Sequence, residues 1–595
     1  MTQGPSPEAA RLDHAAWRAR RVFDPYSTDD HLLALADRTL SAVRRADFDA
    51  IGRDFGATMV AAIAPAVAAY QHHPPQLEKY DGSGNRVERI VFAADYDRAG
   101  ALLWDAGLVA RSAAAGGSFE QFVLLYLTSL EGEMGHMCPA TCTTGLIRVL
   151  RRAASPEVQA AFLPRLTAQD YAEAWRGAQF LTEVQGGSDV GANVVAAVPA
   201  GDGTYRITGE KWFCSVADAD VFLITARPDG AGPGTAGLGC FVVPRLIEGR
   251  PNGFSIRRLK DKLGTTSMAS AEIDFENAVA YPVGDLSDGF KIMVSAMLNT
   301  SRWMNAVGNV GIMRRAYTEA LGYASHRRAF GETIGRFPLV RYQLAMMKVR
   351  WLAALHSTWA LTGLDEAVDV DAMGGASVDP DDAAFHRFLV NANKLECSIS
   401  ATDLVRSAIE VLGGNGAIED FSVLPRLLRD CVVYEQWEGT HNVLTAQVLR
   451  DMGRLGLAGV VVDRIGRTLK SIADPERGAV AQIAESALED LVGRITRSVD
   501  DPGYGALHFR DHLIALVRTF QVAHMLEVAE DLGSGAVADE LTAAAGLLAS
   551  ATLDPEYVSG DDPRLLARID ACLGRDAGRG ADQQAVSADR PKTDD

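Results

Sequence analysis

The sequence predicts a mainly α-helical protein with an antiparallel β domain inserted between helical regions. Three observations predict this fold class. Apolar residues recur every three or four positions up to about residue 176. Glycine then becomes dense and the apolar period drops to two, over residues 177–289, before the helical period returns at Phe290.

Residues 1–176 are predicted to form an N-terminal helical domain. The segments HLLALADRTLSAVRRADFDAIGRDFG, QFVLLYLTSL and TGLIRVLRRA all carry the helical spacing. Between them, HHPPQLEKYDGSGNRVERIVF is polar and contains prolines, so we expect an irregular excursion there. Residues 177–289 are predicted to be the β domain, because GTYRITGEKWF and AEIDFEN alternate and LGCFVVP has the composition of a buried strand.

Residues 290–452 are predicted to form a helical bundle, with its long helices broken at AMGGASVDPDD and VLGGNGAIED. Amphipathic segments such as VVVDRIGRTLKSI predict an extra C-terminal helical domain over residues 453–573. Residues 574–595 lack large apolar groups and are predicted to be a disordered tail.

The composition argues against function classes that depend on positive charge or membranes. The chain has 595 residues and a formal net charge of −19, which disfavours a mainly electrostatic DNA or membrane binder. Its start lacks the apolar region of a secretory signal, and Pro65 interrupts the uncharged stretch 56–70. Together with seven scattered cysteines, these features favour a cytoplasmic protein with reduced thiols.

Two segments of the β domain carry candidate ligand-binding groups. In LTEVQGGSDVGAN, Gly187 permits close approach of a ligand to the backbone, and Thr182 and Ser188 supply hydroxyl groups. In KWFCS, Phe213 and Ser215 share one face of a strand, where they can contact a planar ring and its edge. A plain polar turn and a packed core aromatic are the structural alternatives.

Three segments of the bundle carry further candidates. SHRRAFGETIGR offers adjacent arginines that suit a diphosphate, although a solvated helix end explains them equally well. VLGGNGAIED is a glycine-rich turn that can also be a simple helix cap. In YEQWEGTHNVL, Glu438 lies between Trp437 and Gly439, a setting that suits a general base, while a helix-capping acid is the commoner meaning.

A metal site at His136, Cys138 and Cys142 is disfavoured, because only three potential ligands are present and Pro139 intervenes. We therefore predict no metal site.

Taken in order, these motifs resemble those of the acyl-CoA dehydrogenase family. TEVQGGSD, KWFCS, RRAFG, LGGNG and WEGT match the family's TEPxxGSD, W-I-T/S, R-x-x-FG, GGxG and YEGT patterns, each weak alone but strong as an ordered set. CPATCT, RLKDKLG and LPRLLRD resemble the AidB-type branch, which is linked to the alkylation response and carries a helical domain beyond the bundle. The resemblance implies a helical domain, a β-barrel and a four-helix bundle, followed by that extra domain.

The resemblance also implies non-covalent FAD, a homotetramer or homodimer, and electron transfer to a partner flavoprotein. Carried over residue by residue, the cofactor-binding positions are Leu181, Thr182, Gly187, Ser188, Phe213, Ser215, Arg327, Phe330, Gly413, Gly414, Thr440 and Asn442. Of these, Arg327 and Phe330 correspond to residues that meet the FAD of a neighbouring subunit. The implied substrate contacts are Ser188, Arg302 and Trp437.

Glu438 is the implied catalytic base, which removes the α-proton of an acyl-CoA-type thioester while a hydride leaves the β-carbon for FAD. Ser301 occupies the place where some family members carry a rival base. Trp437 replaces the usual tyrosine, and Pro338 and Glu410 stand where many members have glutamine. Trp437 narrows the predicted pocket, which favours a small or branched acyl group.

Two other functions compete with this prediction. The AidB-type resemblance raises a DNA-associated flavoprotein, but residues 451–595 contain 15 Lys and Arg against 25 Asp and Glu, a net charge of −10. A flavin oxidase or monooxygenase on the same scaffold is the second alternative.

Overall fold

The computed structural model describes residues 6–20 and 24–586. Its N-terminal domain is helical, as predicted, and packs around apolar side chains that include Phe48, Phe55 and Phe122. Its elements are α1 (Pro7–Arg20), α2 (Asp30–Thr39), α3 (Ala42–Thr58), α4 (Ala64–Tyr70), β1 (Gln76–Tyr80), β2 (Arg86–Val91), α5 (Ala94–Asp105), α6 (Ser118–Thr128), α7 (Met137–Ala153) and α8 (Pro156–Leu166).

The segment predicted to be irregular is a β-hairpin, so that prediction was wrong. β1 pairs antiparallel with β2, and Asp81 accepts hydrogen bonds from the backbone of Ser83 and Asn85 to close the turn. The prolines that suggested irregular structure, Pro74 and Pro75, lie just before β1, where a missing N–H costs the ladder nothing.

One continuous helical run in this domain, Ala42–Tyr70, is long and apolar enough by length and composition to cross a membrane. Its side chains at Phe48, Phe55, Ile63 and Tyr70 are buried in the protein core. One face of this run therefore packs into the core, and 39% of its most apolar window is buried.

The β domain closes into a barrel. Its strands are β3 (Gly177–Phe180), β4 (Ala196–Pro199), β5 (Tyr205–Ser215), β6 (Val221–Pro228), β7 (Gly239–Pro244), β8 (Leu246–Ile247), β9 (Arg250–Pro251), β10 (Phe254–Leu259) and β11 (Ser270–Pro282). Pairing runs β11–β5–β4–β6–β7 and returns to β11, which completes a ring. The barrel is antiparallel as expected, except that β6 pairs in parallel with both β3 and β4.

The bundle follows with α9 (Gly289–Ile292), α10 (Asn299–His326), β12 (Arg328–Ala329), β13 (Glu332–Thr333), α11 (Pro338–Ala372), α12 (Pro380–Leu412), α13 (Leu424–Gln436) and α14 (His441–Arg454). A π-helical turn, Met293–Leu298, joins α9 to α10. Such turns interrupt the regular hydrogen-bond ladder and often occur at functional sites.

The extra domain consists of α15 (Leu457–Lys470), α16 (Pro475–Asp500), α17 (Pro502–Leu532), α18 (Ala536–Thr552) and α19 (Leu565–Val586). α17 and α18 pack directly on α11. The fourth domain is therefore docked on the bundle and shares buried surface with it.

A buried ionic cluster joins three of the domains. Glu540 of α18 lies 2.9 Å from His31 Nε2 of α2 and 2.9 Å from Lys348 Nζ of α11. Burial disfavours the charge of Glu540, yet the His31 hydrogen bond and the Lys348 ammonium hold its pKa at about 2. Lys348 also pairs with Asp576 at 2.8 Å.

Helix α19 continues past residue 574, where the disordered tail was predicted to begin. The backbone breaks helical geometry at Gly574 and α19 then continues to Val586, while 587–595 lie outside the described residues. Asp576 accepts hydrogen bonds from Tyr317 and Lys348. The polar composition of this segment misled the prediction, because a single carboxylate anchors it to a buried cation.

Removing the cation from this cluster should destabilise the protein. Lys348→Met keeps much of the side-chain volume and leaves buried carboxylates without their partner, so we expect a loss of about 3 kcal/mol in the free energy of unfolding. Arg494→Met breaks the exposed Arg494–Asp490 pair and should cost less than about 1 kcal/mol. Urea unfolding followed by circular dichroism measures both, and equal losses would contradict the structural role of the cluster.

Candidate active site

A cavity of about 1360 Å³ lies where the β domain meets the bundle. Its walls come from α7, β3 and the loop after it, the end of β5, the π-helical turn with α10, and the turn between α13 and α14. Pockets that bind a single small-molecule ligand measure roughly 300–1000 Å³. The cavity therefore has room for a large cofactor and a substrate together.

Most of the residues predicted from the motifs meet in this cavity. They are Leu181, Thr182, Gly187, Ser188, Phe213, Ser215, Arg302, Trp437, Glu438 and Thr440. They come from both the β domain and the bundle. Gln179 of the β domain and Glu438 of the bundle, 259 positions apart in the chain, form a hydrogen bond across the boundary between them.

Three of the other predicted residues lie elsewhere on the chain. Arg327, Gly413 and Gly414 line a separate, shallow pocket of about 340 Å³ at the ends of α10 and α12. A Cβ atom added at either glycine would meet nothing within 4 Å, so this surface is open.

Phe330 and Asn442 line neither pocket. Phe330 is 97% exposed, with a positive φ of 51°. Asn442 is exposed on the first turn of α14, where it lies about 100° around the helix from Val443, which faces the large cavity. Within one chain, the structure does not bring Asn442 to the predicted cofactor site.

A buried ion pair shapes the loop that follows β3. The Glu183 carboxylate lies 2.8 Å from Lys211 Nζ and accepts hydrogen bonds from the backbone of Val194 and Val195. Asn193 donates to the carbonyl of Leu181 at 2.7 Å. These contacts hold both ends of the glycine-rich loop, so that Thr182, Gly187 and Ser188 stay on the cavity wall.

The strand β5 presents Phe213 and Ser215 to the cavity, as the alternation predicts. Cys214 between them is buried in the barrel, whereas Phe213 is 55% exposed. An aromatic ring exposed on a cavity wall offers a flat apolar surface to a planar ligand. Lys262, deeper in the wall, donates to Ser270 Oγ at 3.1 Å, and burial lowers its pKa to about 8.

Glu438 occupies a sharp turn between α13 and α14. Its φ is +59° and that of Gly439 is +104°, a left-handed conformation that is costly for glutamate. Arg302 Nε donates to the Glu438 carbonyl at 3.0 Å. Lys394 Nζ donates to the carbonyls of Glu435 at 3.0 Å and Gly439 at 3.2 Å. Two buried cations therefore hold this turn through its backbone.

The Glu438 carboxyl group is poised near neutrality. Burial raises its pKa to about 7, against the opposing effects of Arg302, Lys394 and a hydrogen bond from Gln179. Gln179 Nε2 donates to Glu438 Oε1 at 2.7 Å. Burial likewise lowers the pKa of Lys394 to about 7. A carboxylate with this pKa, in a cavity, is suited to general-base chemistry.

Trp437 forms the wall beside the carboxyl group. Its ring stacks on Tyr434, with centroids 5.2 Å apart and an interplanar angle of 29°. Trp437 therefore lines the cavity next to Glu438, with its ring packed against Tyr434.

The residues of the disfavoured metal motif, His136, Cys138 and Cys142, make other contacts in the structure. His136 Nε2 lies 2.9 Å from the Tyr96 carbonyl, and burial lowers its pKa to about 3. Cys138 and Cys142 line the cavity with their sulfur atoms 3.8 Å apart. Across residues 6–20 and 24–586, no three His, Cys, Asp or Glu side chains are arranged to hold a metal ion.

Gln179, Lys394 and Lys262 were missed by sequence reasoning. Gln179 and Lys394 are ordinary residues in a strand and a helix that no local motif marks, whereas Lys262 lies in the quoted RLKDKLG segment without having been singled out. Gln179 does alternate with the buried Ala178 and Phe180, which is the one signal that its side chain faces another surface.

The fold and the site define a class of flavin-linked enzyme. The chain matches the acyl-CoA dehydrogenase middle domain over residues 178–278 and the C-terminal domain of the same family over 287–453. It also matches the N-terminal domain of the adaptive response protein AidB over residues 18–173.

The chain therefore belongs to the acyl-CoA dehydrogenase family, and within it to the AidB-type branch. It is 32% identical to the putative acyl-CoA dehydrogenase AidB of Escherichia coli, over 74% of this chain and 81% of that protein. The structure of Caenorhabditis elegans ACDH-11 in complex with C11-CoA has a TM-score of 0.82 at 26% identity and covers 96% of each chain. An acyl-CoA dehydrogenase from Bacillus anthracis, complexed with FAD, shares the fold at 18% identity, with a TM-score of 0.71 over 93% and 90% of the chains.

These matches confirm the predicted family, fold class and enzyme class. Members of the family are FAD-dependent oxidoreductases, as the motifs implied. The extra helices after residue 453 lie beyond the C-terminal family domain and within the span shared with ACDH-11.

The charge of Lys394 should set the pKa of Glu438. Lys394→Met removes a buried cation that favours the carboxylate, so the pKa of Glu438 should rise above about 7. An infrared titration measures this pKa. The carboxyl band of Glu438 is identified by its loss in Glu438→Gln and is followed across pH. Lys262→Met removes another buried lysine of the cavity that does not act on Glu438, and an equal shift in that control would contradict the assignment.

Proposed function

We propose that this protein binds FAD in the large cavity and catalyses α,β-dehydrogenation of an acyl-CoA-type thioester with a small or branched acyl group. The observation that carries the proposal is Glu438, a half-buried residue on the wall of the large cavity, where desolvation raises the pKa of its carboxyl group to about 7. Trp437, stacked beside it, supports the restriction on the acyl group.

The residues of the β domain fit an isoalloxazine ring. Phe213 offers an exposed aromatic face, and Thr182, Ser188 and Ser215 offer hydroxyl groups to polar ring edges. When bound, FAD supplies the acceptor for a hydride from the substrate β-carbon.

Glu438 supplies the proton acceptor. As the substrate Cα–H bond breaks, the proton passes to the Glu438 carboxylate and the electron pair forms the new Cα=Cβ bond. FAD and substrate in the cavity would displace water from the carboxylate, which would strengthen its interactions with charge. Arg302 and Lys394 keep the turn, and hence the carboxylate, in place.

An arginine pair supports a substrate that carries phosphate groups. Arg387 Nε and Arg450 Nε lie 2.8 and 3.3 Å from the two carboxylate oxygens of buried Asp451, and both arginines line the cavity. Among the described residues, their Nη groups have no hydrogen-bond partner. Oriented guanidinium groups of this kind suit the phosphates of coenzyme A.

We further propose a homotetramer or homodimer in which a second subunit covers the shallow pocket at Arg327, Gly413 and Gly414. The open glycines and the exposed Phe330 support this assembly. The FAD of that subunit would then lie against the pocket, as the family resemblance implies. Electrons would leave through a separate electron-transfer flavoprotein.

Anaerobic mixing with a panel of acyl-CoA thioesters tests the reaction. We expect a small or branched thioester to bleach the flavin, and Glu438→Gln to slow bleaching by about 10²- to 10⁴-fold. Glu419→Gln is the matched control, because Glu419 pairs with Arg429 outside the cavity and its loss should leave the rate near that of the parent. Bleaching by Glu438→Gln at the parent rate would show that the base is another residue.

Two further readouts separate the alternatives. Hydrogen peroxide release during aerobic turnover would indicate an oxidase in place of a dehydrogenase. Duplex DNA binding with a steep salt dependence would indicate a DNA-associated flavoprotein, against which the net charge of −10 over residues 451–595 argues.

The arginine pair makes a separate prediction about affinity. Arg387→Gln and Arg450→Gln, made singly, should each raise the KM for the acyl-CoA about tenfold and leave kcat unchanged, because a charge-assisted phosphate contact is lost. The same acyl group on pantetheine, which lacks phosphates, should be unaffected. Arg454→Gln, exposed at the end of α14 outside the cavity, is the control. Equal weakening of both thioesters would contradict phosphate recognition.

A further inference from the structure

Gln179 lies in the short strand β3 of the barrel, next to the turn of the bundle that carries Glu438. β3 pairs in parallel with β6, and Gln179 is in register with Leu223. Ala178 and Phe180 are fully buried in the core, which fixes the backbone on both sides. The Gln179 side chain therefore projects into the cavity from a rigid element.

The Gln179 amide contacts only one of the two carboxylate oxygens. Its Nε2 donates to Glu438 Oε1 at 2.7 Å and reaches Ser301 Oγ at 3.3 Å. Glu438 Oε2 has no hydrogen-bond partner among the described residues and is not among their fully buried polar atoms. One oxygen is thus anchored, and the other is open to the cavity.

While the Gln179 amide nitrogen bonds to Glu438, the amide oxygen has no partner of its own across residues 6–20 and 24–586. Gln179 Oε1 is fully buried and has no partner among the described residues, although a buried carbonyl oxygen normally accepts a hydrogen bond. Turning the amide over would exchange its oxygen and nitrogen, and would place an oxygen against a carboxylate. The charge of Glu438 therefore determines how the amide is oriented.

The charged groups that face Glu438 come from three other elements. Arg302 of α10 and Lys394 of α12 contact the backbone of its turn. The pKa of the Cys138 thiol of α7 is raised mainly by its contact with Cys142 and by burial, with a smaller contribution from Glu438. The nearby anions Glu435 and Asp451 are paired with other groups. Gln179 is therefore the single side chain that hydrogen-bonds to the Glu438 carboxylate within the described part of the chain.

We propose that Gln179 is a positioning residue for the catalytic base, holding Oε1 of Glu438 so that Oε2 receives the substrate α-proton. This inference rests on the proposed function. The hydrogen bond survives the reaction, because Oε1 remains an acceptor when the proton sits on Oε2. Gln179 also favours the ionised base before the reaction, since its N–H is donated to the charged form.

Gln179→Met and Gln179→Glu test the proposal. Gln179→Met keeps the length of the side chain and removes the donor, so the infrared midpoint of Glu438 should rise by about one pH unit. In anaerobic rapid mixing, the rate of flavin reduction should fall off at low pH, and the pH of this fall should rise by the same amount. The plateau, which is the pH-independent rate of flavin reduction at higher pH, should fall about tenfold or more, because the Glu438 carboxylate is no longer held in position. Gln179→Glu, of the same size, places a second carboxyl on Oε1 and should raise the midpoint further.

Gln159→Met is the matched control. It makes the same substitution in α8, where Gln159 donates to the Ala154 carbonyl outside the cavity, so it should move neither the midpoint nor the plateau. A Gln179→Met plateau within about twofold of the parent would overturn the proposal, even with a shifted midpoint.

The infrared titration needs no substrate, so it separates this proposal from the proposed function. If no thioester bleaches the parent, the proposed function fails, and a raised midpoint in Gln179→Met still supports the contact. If a thioester does bleach the parent but the infrared midpoint of Glu438 is unchanged in Gln179→Met, the Gln179 proposal alone is overturned.

Discussion

The backbone turn at Glu438 depends on two buried cations beneath it. A left-handed glutamate costs on the order of 1–3 kcal/mol, and hydrogen bonds from Arg302 and Lys394 to the carbonyls of this turn offset that cost. Neither cation forms a direct pair with the Glu438 carboxylate in the described structure. The turn is therefore fixed through its backbone, while the carboxyl group keeps a pKa near neutrality.

The rest of the molecule can be understood as support for this arrangement. The barrel brings Gln179 and the glycine-rich loop to one side of the cavity, and the Glu183–Lys211 pair fixes that loop. The long helices α10 and α12 bring the two cations to the other side. The extra domain packs on α11 and is tied to the bundle through Lys348, which stabilises the helices behind the cavity.

Sequence reasoning located the parts of the site that are local in the chain. WEGT and TEVQGGSD each keep several candidate residues within a few positions, and Glu438, Thr182 and Ser188 from these motifs all lie on the wall of one cavity. Gln179 and Lys394 were not predicted, because their roles arise from contacts with residues 259 and 45 positions away. The hairpin at β1 and β2 and the anchored Asp576 were missed for a similar reason: composition describes a segment, whereas its partners determine its order.

The central claim is that burial holds Glu438 near neutrality as a base inside the cavity. An infrared titration of the FAD-loaded parent protein, with the Glu438 band assigned by its loss in Glu438→Gln, tests it most directly. The account predicts that the protonated carboxyl band grows as the pH falls through about 7. A midpoint near 4.5, the value of an unperturbed glutamate, would contradict it.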